Sequence, residues 1–309
     1  MASTSANQHV SRLYDDQPAF IYGTAWKKDK TKRLVKEAIA QGFRRIDTAA
    51  QPRHYQEALV GESLREAYAE GTISRNGVYW IQTKYTTPGG QDLGNMPYDP
   101  DAPLETQIRT SVASSLKNLR ANSESQESYV DCLLLHSPLP TTEQTLQAWK
   151  LLESYVPTQI RSLGISNVTL PVLQAIYEHA TVKPSVVQNR FYPQTRYDVP
   201  LRSFCRERNI TYQSFWTLTG NPALLVSNPV TALSQAMDIE PPVALYALVI
   251  DLGIMVLNGS TSIDHMRADL DGIQTVREWA ILHPRDWKTI SEAFKDLVGP
   301  ATTGQSCRS

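Results

Sequence analysis

Four ionisable side chains lie at or just after the ends of three apolar stretches that are typical of consecutive buried strands. Asp47, Lys84 and His136 end the second, third and fourth predicted strands, and Tyr55 opens the segment after the second. The C-terminal ends of barrel strands converge on one face, so these groups can meet. A carboxylate, a phenol, an ammonium and an imidazole so placed indicate one shared site.

Together, the four groups suit proton donation to a carbonyl oxygen. A tyrosine hydroxyl has a reference pKa of about 10, which makes it a weak acid at neutral pH unless a cation stabilises the phenolate. Lys84 supplies that cation, and Asp47 holds the ammonium charged and oriented. His136 can donate a hydrogen bond to the carbonyl oxygen. Such a site fits hydride delivery to an aldehyde or ketone from a nicotinamide bound above it.

Each residue also has an ordinary structural interpretation when it is taken alone. Asp47 could cap a helix, Lys84 could be a solvated loop lysine, Tyr55 could be a packing residue and His136 a buried core histidine. Four such roles at consecutive strand ends are a less economical explanation than one site.

Short β-rich runs alternate with amphipathic helical patterns, which is typical of βαβ units and a parallel sheet. The eight runs begin near Ala19, Phe43, Val78, Val130, Arg161, Ser185, Thr211 and Ile254. Helical patterns cover residues 30–41, 104–119, 143–154, 170–180 and 199–208. Eight strands, without a Gly-x-Gly-x-x-Gly after the first, favour a single-domain (β/α)8 TIM barrel over an open doubly wound sheet.

We expect the barrel to occupy residues 18–298, with a disordered segment at 1–17 and a flexible tail at 299–309. The long loop at 86–103 follows the third strand and should form a wall of the substrate pocket. The loop 217–241 and the C-terminal segment 273–298 should also shape that pocket. Its predicted apolar residues are Met96, Tyr98, Trp216 and Trp279.

Composition limits the other partners of the chain. The net charge of -1 and the pI of about 6.6 provide no basic face for nucleic acid. The sequence shows no signal peptide and no apolar run long enough for a membrane span, so we expect a cytoplasmic protein. Three dispersed cysteines fit a reducing compartment, and no histidine pair with metal-ligand spacing predicts a metal site. No oligomeric state is indicated.

Seven short motifs occur in the order and spacing of a known enzyme family. They are Gly23-Thr24, Ile46-Asp-Thr-Ala49, His54-Tyr-Gln-Glu57 followed by Val60-Gly-Glu-Ser63, Thr83-Lys84, Leu135-His136, Gly164-Ile-Ser-Asn167 and Gln188-Asn189. Over roughly residues 19 to 272 the chain resembles the aldo-keto reductases. Seven residues separate Asp47 from Tyr55 where many members have four, and this longer loop resembles a fungal-type subgroup.

The resemblance implies a (β/α)8 barrel that binds NADP(H) across its C-terminal face and reversibly reduces a small aldehyde or ketone. Tyr55 would be the general acid, Lys84 and Asp47 its tuning pair, and His136 the group that orients the carbonyl. Phe215 stands where the family usually has a tyrosine stacked on the nicotinamide. The implied cofactor-binding residues are Gly23, Thr24, Asp47, Ser166, Asn167, Gln188, Ser214, Phe215, Trp216, Thr217, Leu218, Ser260, Thr261 and His265.

Two positions depart from the family at the end of the groove that holds the 2′-phosphate of NADP. Gly259 replaces the usual lysine, His265 replaces the usual arginine, and Arg267 lies two residues further on. Loss of these cations weakens the electrostatic case for NADP(H), although Ser260, Thr261, His265 and Arg267 remain. We expect NADP(H), with NAD(H) or dual use open. Trp216 replaces a small residue and should narrow the groove or the pocket.

Two other functions remain possible on the same barrel. Lys84 could form a Schiff base with a carbonyl, as in aldolases. The chain could also be a regulatory module that binds the cofactor with little turnover. The sequence favours the reductase over both, because all four catalytic positions are filled.

Overall fold

The computed structural model describes residues 19–77, 80–122 and 128–299. Within them, eight parallel strands form a closed barrel in which each strand pairs with the next and the eighth pairs with the first. The strands are β1 (Phe20–Gly23), β2 (Arg45–Asp47), β3 (Trp80–Tyr85), β4 (Cys132–Leu135), β5 (Leu163–Ser166), β6 (Val186–Arg190), β7 (Thr211–Phe215) and β8 (Met255–Asn258). The predicted (β/α)8 barrel is therefore confirmed.

Helices cover the outside of the barrel. They are α1 (Thr31–Gln41), α2 (Glu57–Ala69), α3 (Leu104–Leu119), α4 (Thr142–Glu153), α5 (Leu170–His179), α6 (Val199–Glu207), α7 (Pro222–Leu225), α8 (Asn228–Met237), α9 (Pro241–Asp251), α10 (Ile263–Leu282) and α11 (Pro284–Val298). The described strands begin within two residues of their predicted starts, and the five predicted helices are all present. Val78, the predicted start of the third strand, lies outside the described residues.

In α1, the apolar residues of the sequence form the buried face of the helix. Its predicted apolar stripe is buried on the barrel, with Leu34, Val35, Ala38 and Ile39 at most 2% exposed. Gly42 caps the C-terminal end of the helix, and its φ of 115° is a backbone conformation that residues with a side chain rarely adopt. The apolar run 243–250 lies in α9 and is buried throughout, as expected of a core helix.

Strand register brings the predicted site residues next to one another. Asp47 is opposite Gln82, and Gln188 is opposite both Ser166 and Gln213. Residues in register lie at one level of the barrel. Because successive residues of a strand point to opposite faces, Lys84 lies on the same face as Gln82, two residues before it. The C-terminal strand ends therefore place carboxylate, amide and ammonium side chains within hydrogen-bonding distance.

The predicted disordered segment at 1–17 lies outside the described residues, as does the predicted tail at 299–309 apart from Gly299. The carbonyl of Gly299 accepts a hydrogen bond from Arg202 Nη2 at 3.2 Å. None of the helices in the described ranges combines the length and the apolarity needed to cross a membrane.

A close helix crossing depends on Gly61. A Cβ atom at this position would lie 1.7 Å from the backbone oxygen of Asn118 at the end of α3. We expect Gly61→Ala to lower the free energy of unfolding by about 1–3 kcal/mol or more, because α2 and α3 would have to separate. Urea denaturation measures this, with Gly89→Ala as control because no atom lies within 4 Å of its added Cβ. Equal midpoints for the two variants would contradict the expected clash.

Candidate active site

A buried ion pair lies at the centre of the strand ends. Lys84 Nζ donates to both carboxylate oxygens of Asp47, each at 2.7 Å, and to the backbone oxygen of Thr48 at 2.8 Å. The side chains of Lys84 and Asp47 are 0% and 1% exposed. An ammonium has three donors, and all three are used here. Lys84 is thus fixed in position.

Amide side chains from three strands surround the same carboxylate. Gln82 Nε2 and Gln188 Nε2 donate to Asp47 Oδ1 at 2.7 and 2.9 Å. Both amides also donate to Gln213 Oε1, at 2.9 and 3.0 Å. Since the surrounding groups are buried and hydrogen-bonded, the carboxylate cannot turn away from Lys84 without leaving unpaired polar atoms.

Tyr55 lies above the ion pair, in the loop between β2 and α2. Its backbone N–H donates to Gln51 O at 2.9 Å, and Lys84 Nζ lies 5.0 Å from the centre of its ring. Burial raises the pKa of the Tyr55 phenol above its ordinary value, and the carboxylate of Asp47 adds to the rise. The phenol therefore holds its proton at neutral pH, and Lys84 has not made it acidic in this state.

His136 faces Tyr55 across the site. The two rings meet edge to face, with centres 6.1 Å apart. Burial, and then the positive charge of Lys84, lower the pKa of His136 well below its ordinary value, so the imidazole is neutral. Its Nδ1 lies 2.6 Å from Thr86 Oγ1. When Thr86 donates this hydrogen bond, Nε2 carries the imidazole proton and can donate it to a ligand.

A cavity of about 1610 Å³ opens at these strand ends. Pockets for single small ligands usually measure about 300–1,000 Å³, so this one has room for a dinucleotide and a substrate. The predicted site residues that line it are Gly23, Asp47, Tyr55, His136, Ser166, Asn167, Gln188, Phe215, Trp216, Thr217, Leu218, Ser260, Thr261 and His265.

Three predicted residues do not line the cavity. Thr24 Oγ1 donates to Asp47 O at 2.9 Å, and Ser214 pairs with Thr217 at 2.9 Å. Both side chains are fully buried and support the wall of the cavity, and their contact with the cofactor stays a prediction. Lys84, the third of these residues, lies beneath the cavity and does not line it. An amine that is buried and fully hydrogen-bonded is poorly placed to attack a carbonyl, which disfavours the Schiff-base aldolase.

The walls of the cavity differ in part from those expected. Thr86, Thr87, Gly89 and Gly90 of the loop at 86–103 line it, as does Trp216. Met96, Tyr98 and Trp279, which were expected to line the pocket, are not among the residues of its wall. Tyr98 packs on Tyr85 with ring centres 5.7 Å apart, and Trp279 stacks on His283. None of the described residues in the segment 273–298 lines the cavity.

The far end of the cavity contains a cation that sequence reasoning missed. Lys27 is 5% exposed, and its Nζ donates to Gly259 O at 2.9 Å and lies 4.8 Å from the centre of the Tyr22 ring. In the described part of the chain no carboxylate pairs with it. Arg267, in contrast, donates to Gln41 and does not line the cavity.

Two signals in the sequence could have identified the missed residues. Lys27 follows shortly after the Gly23-Thr24 turn and therefore lies on the C-terminal face. Arg190 follows Gln188 by two residues on one strand, so both side chains lie on the same face of β6. Arg190 also lines the cavity.

Comparisons with known proteins agree with this geometry. The sequence profile of the Aldo/keto reductase family matches residues 19–275. A D-galacturonate reductase of Hypocrea jecorina is 26% identical over 91% of this chain and 88% of its own length. An NAD/NADP-dependent indole-3-acetaldehyde reductase of Schizosaccharomyces pombe is 29% identical over 65% of each chain.

A solved structure supports the same architecture. An aldo-keto reductase from a Medee basin deep-sea metagenome library superposes with a TM-score of 0.65 at 22% identity, covering 84% of this chain and 92% of its own. That similarity establishes the fold, and the profile and the reductases among the relatives establish the reaction class. The chain belongs to the aldo/keto reductase family and is an oxidoreductase of carbonyl compounds.

Proposed function

We propose that the protein reduces a small aldehyde or ketone to the alcohol, with Tyr55 as general acid and His136 as the group that orients the carbonyl. The observation that carries this proposal is the cluster of Tyr55, His136 and the Lys84–Asp47 pair at the wall and floor of one large cavity. Loss of NADPH or NADH absorbance with a panel of reactive aldehydes tests it. Absence of turnover with every aldehyde, despite cofactor binding, would favour a regulatory module.

The residues of the cavity fit a nicotinamide dinucleotide. Ser166, Asn167 and Gln188, whose side chains carry hydroxyl and amide groups, line the cavity, and so does the aromatic residue Phe215. In this proposal the three polar residues hold the carboxamide, and Phe215 stacks on the ring. When bound, the reduced nicotinamide supplies a hydride to the carbonyl carbon.

In this proposal, side chains of the protein supply and transfer the proton that the carbonyl oxygen receives. The neutral His136 donates a hydrogen bond to the carbonyl oxygen and holds it near the Tyr55 hydroxyl. As negative charge develops on that oxygen, Tyr55 transfers its proton, because an alkoxide is a stronger base than even a phenolate of raised pKa. The Lys84 ammonium then stabilises the phenolate, and Asp47 keeps Lys84 in place. Because Tyr55 keeps its proton until negative charge develops on the carbonyl oxygen, the site suits reduction of the carbonyl.

We also propose NADP(H) as the preferred cofactor. Gly259 has no side chain to offer the 2′-phosphate, but Lys27 brings an ammonium to the backbone of that same residue. A buried cation with no carboxylate partner among the described residues is suited to binding an anion. Lys27 would thus compensate for the cation missing at position 259.

The Lys27 proposal predicts a cofactor-specific loss. We expect Lys27→Met to raise the dissociation constant for NADPH about 10-fold or more and to leave that for NADH nearly unchanged. Burial lowers the pKa of Lys27 to about 8, so NADPH affinity should fall as pH rises through this value. Lys27→Arg should remove that decline, because guanidinium stays charged. Fluorescence titration at several pH values measures these effects, with the exposed Lys30→Met as control.

NAD(H) is the second candidate, and a specific feature favours it. The carboxylates of Glu240 and Asp264 line the same cavity as Gly259 and His265. A carboxylate can accept a hydrogen bond from a ribose 2′-hydroxyl and repels a 2′-phosphate. Tighter binding of NADH than of NADPH, or an equal effect of Lys27→Met on both, would contradict the preference for NADP(H).

A further inference from the structure

Arg190 is a cation at the mouth of the active site that the reaction described above does not use. It ends β6, two residues after Gln188, and pairs in register with Phe215. Gln188 contacts Asp47 at 2.9 Å, and a strand rises about 3.3 Å per residue, so Arg190 begins roughly 7 Å above the Gln188 level on the same face. Its side chain is exposed and lines the cavity.

Two aromatic rings hold the guanidinium. Its central carbon lies 4.4 Å from the centre of the Trp216 ring and 5.8 Å from that of Phe215. Stacking on an aromatic face leaves the edge of a guanidinium, which carries its N–H donors, available to a ligand. Among the described residues, no carboxylate lies within ion-pair distance of Arg190. The donors are therefore held in place but not paired with an anion.

The backbone of Trp216 is constrained in a way that maintains this arrangement. Its φ of 59° lies in the left-handed region, which a bulky residue seldom adopts, and its side chain is 50% exposed. Gly220 N donates to Trp216 O at 2.8 Å and fixes the turn. Such conformations are retained where the surrounding structure enforces them, and they occur often at ligand sites.

We propose that Arg190 binds the carboxylate of the substrate, so that the enzyme prefers small aldehydes with an acid group several bonds from the carbonyl. This inference rests on the proposed carbonyl reduction at Tyr55. An Arg–carboxylate pair supplies two parallel hydrogen bonds and fixes the orientation of the ligand. The negative charge of Asp47 does not compete for Arg190, because it is buried and paired with Lys84. A phosphate of the dinucleotide offers the same chemistry and is distinguished by the test.

The test uses a matched pair of substrates with the cofactor-loaded enzyme. Para-carboxybenzaldehyde and its methyl ester share the same aldehyde and ring and differ in the charge of the distal group. We expect Arg190→Met to raise KM for the acid about 10- to 100-fold with little change in kcat, and to leave the ester unaffected. Arg190→Lys should show an intermediate loss. Arg285→Met on α11, an exposed residue away from the cavity, is the control.

Binding measurements separate the possible outcomes. Tryptophan quenching gives the affinity of the loaded enzyme for para-carboxybenzyl alcohol, the product, independently of turnover. Weaker binding in Arg190→Met with an unchanged dissociation constant for NADPH supports the proposal. The proposal would be overturned if Arg190→Met raised KM equally for the acid and the ester, or for neither. Weaker NADPH binding by this variant would also overturn it and would assign Arg190 to a cofactor phosphate. If wild type binds the alcohol but reduces neither aldehyde, the proposed reduction fails instead.

Discussion

Replacing Tyr55 with Phe is expected to lower kcat for aldehyde reduction by about 10²- to 10⁴-fold, the range ascribed to a positioned proton donor. The ring remains, and with it the edge-to-face contact with His136 and the contact with the Lys84 ammonium. The dissociation constants for NADPH and NADH should therefore stay within experimental error of wild type. Steady-state kinetics and fluorescence titration of the same preparation measure the two effects.

A matched control isolates the loss of one hydroxyl. Tyr177→Phe removes the same atom from α5, where the ring packs on Phe204 away from the cavity. It should leave both kcat and cofactor binding unchanged. A Tyr55→Phe enzyme as fast as wild type would show that another group delivers the proton. A variant that no longer binds cofactor would instead show that Tyr55 shapes the groove.

The second large effect concerns the buried ion pair. Lys84→Met should abolish measurable reduction and lower the free energy of unfolding by about 3–5 kcal/mol, because it leaves Asp47 charged and buried without its partner. The double variant Asp47→Asn/Lys84→Met removes both charges and keeps an oxygen to accept from Gln82 and Gln188. We expect it to recover part of the lost stability and none of the activity.

Urea denaturation and kinetics on the three proteins separate stability from function. Arg109→Met is the control, because it breaks an ion pair with Glu105 in which both side chains are more than half exposed. Its stability should change little. If the double variant reduced aldehydes as fast as wild type, the Lys84–Asp47 pair would have no part in the chemistry. If Lys84→Met were as stable as wild type, Asp47 would not be left as a buried, unpaired charge in that variant.

Local patterns made most of the barrel predictable. The stripe of Leu34, Val35, Ala38 and Ile39 marks the buried face of α1 within one short segment, and Gly42 marks its end. Eight apolar runs in alternation with such helices leave few architectures other than a closed barrel. The convergence of Asp47, Tyr55 and His136 then follows from the rule that C-terminal strand ends meet.

Side-chain direction was harder to predict, because it depends on tertiary packing. Thr24 and Ser214 belong to the expected segments but point into the wall. Tyr98 in the loop at 86–103 was expected to line the pocket, whereas its ring packs on Tyr85. Composition alone cannot distinguish an aromatic side chain that packs on the barrel from one that faces a ligand.

The missed cations depend on contacts between distant segments. Lys27 meets Gly259 only because β1 closes the barrel against β8, which are separated by most of the chain. Arg190 meets Trp216 because β6 and β7 pair in the observed register. The sequence marked Gly259 as a missing cation, but only barrel closure revealed which residue lies beside it.

A single-turnover measurement tests the central claim most directly. Enzyme loaded with NADPH carrying deuterium on the transferable position of the nicotinamide is mixed with excess reactive aldehyde in a stopped-flow cell. Oxidation of the bound cofactor should occur in one fast phase, with one deuterium on the carbinol carbon of the alcohol for each site. Cofactor that stays reduced, or alcohol that forms without the label, would contradict direct hydride transfer at this site.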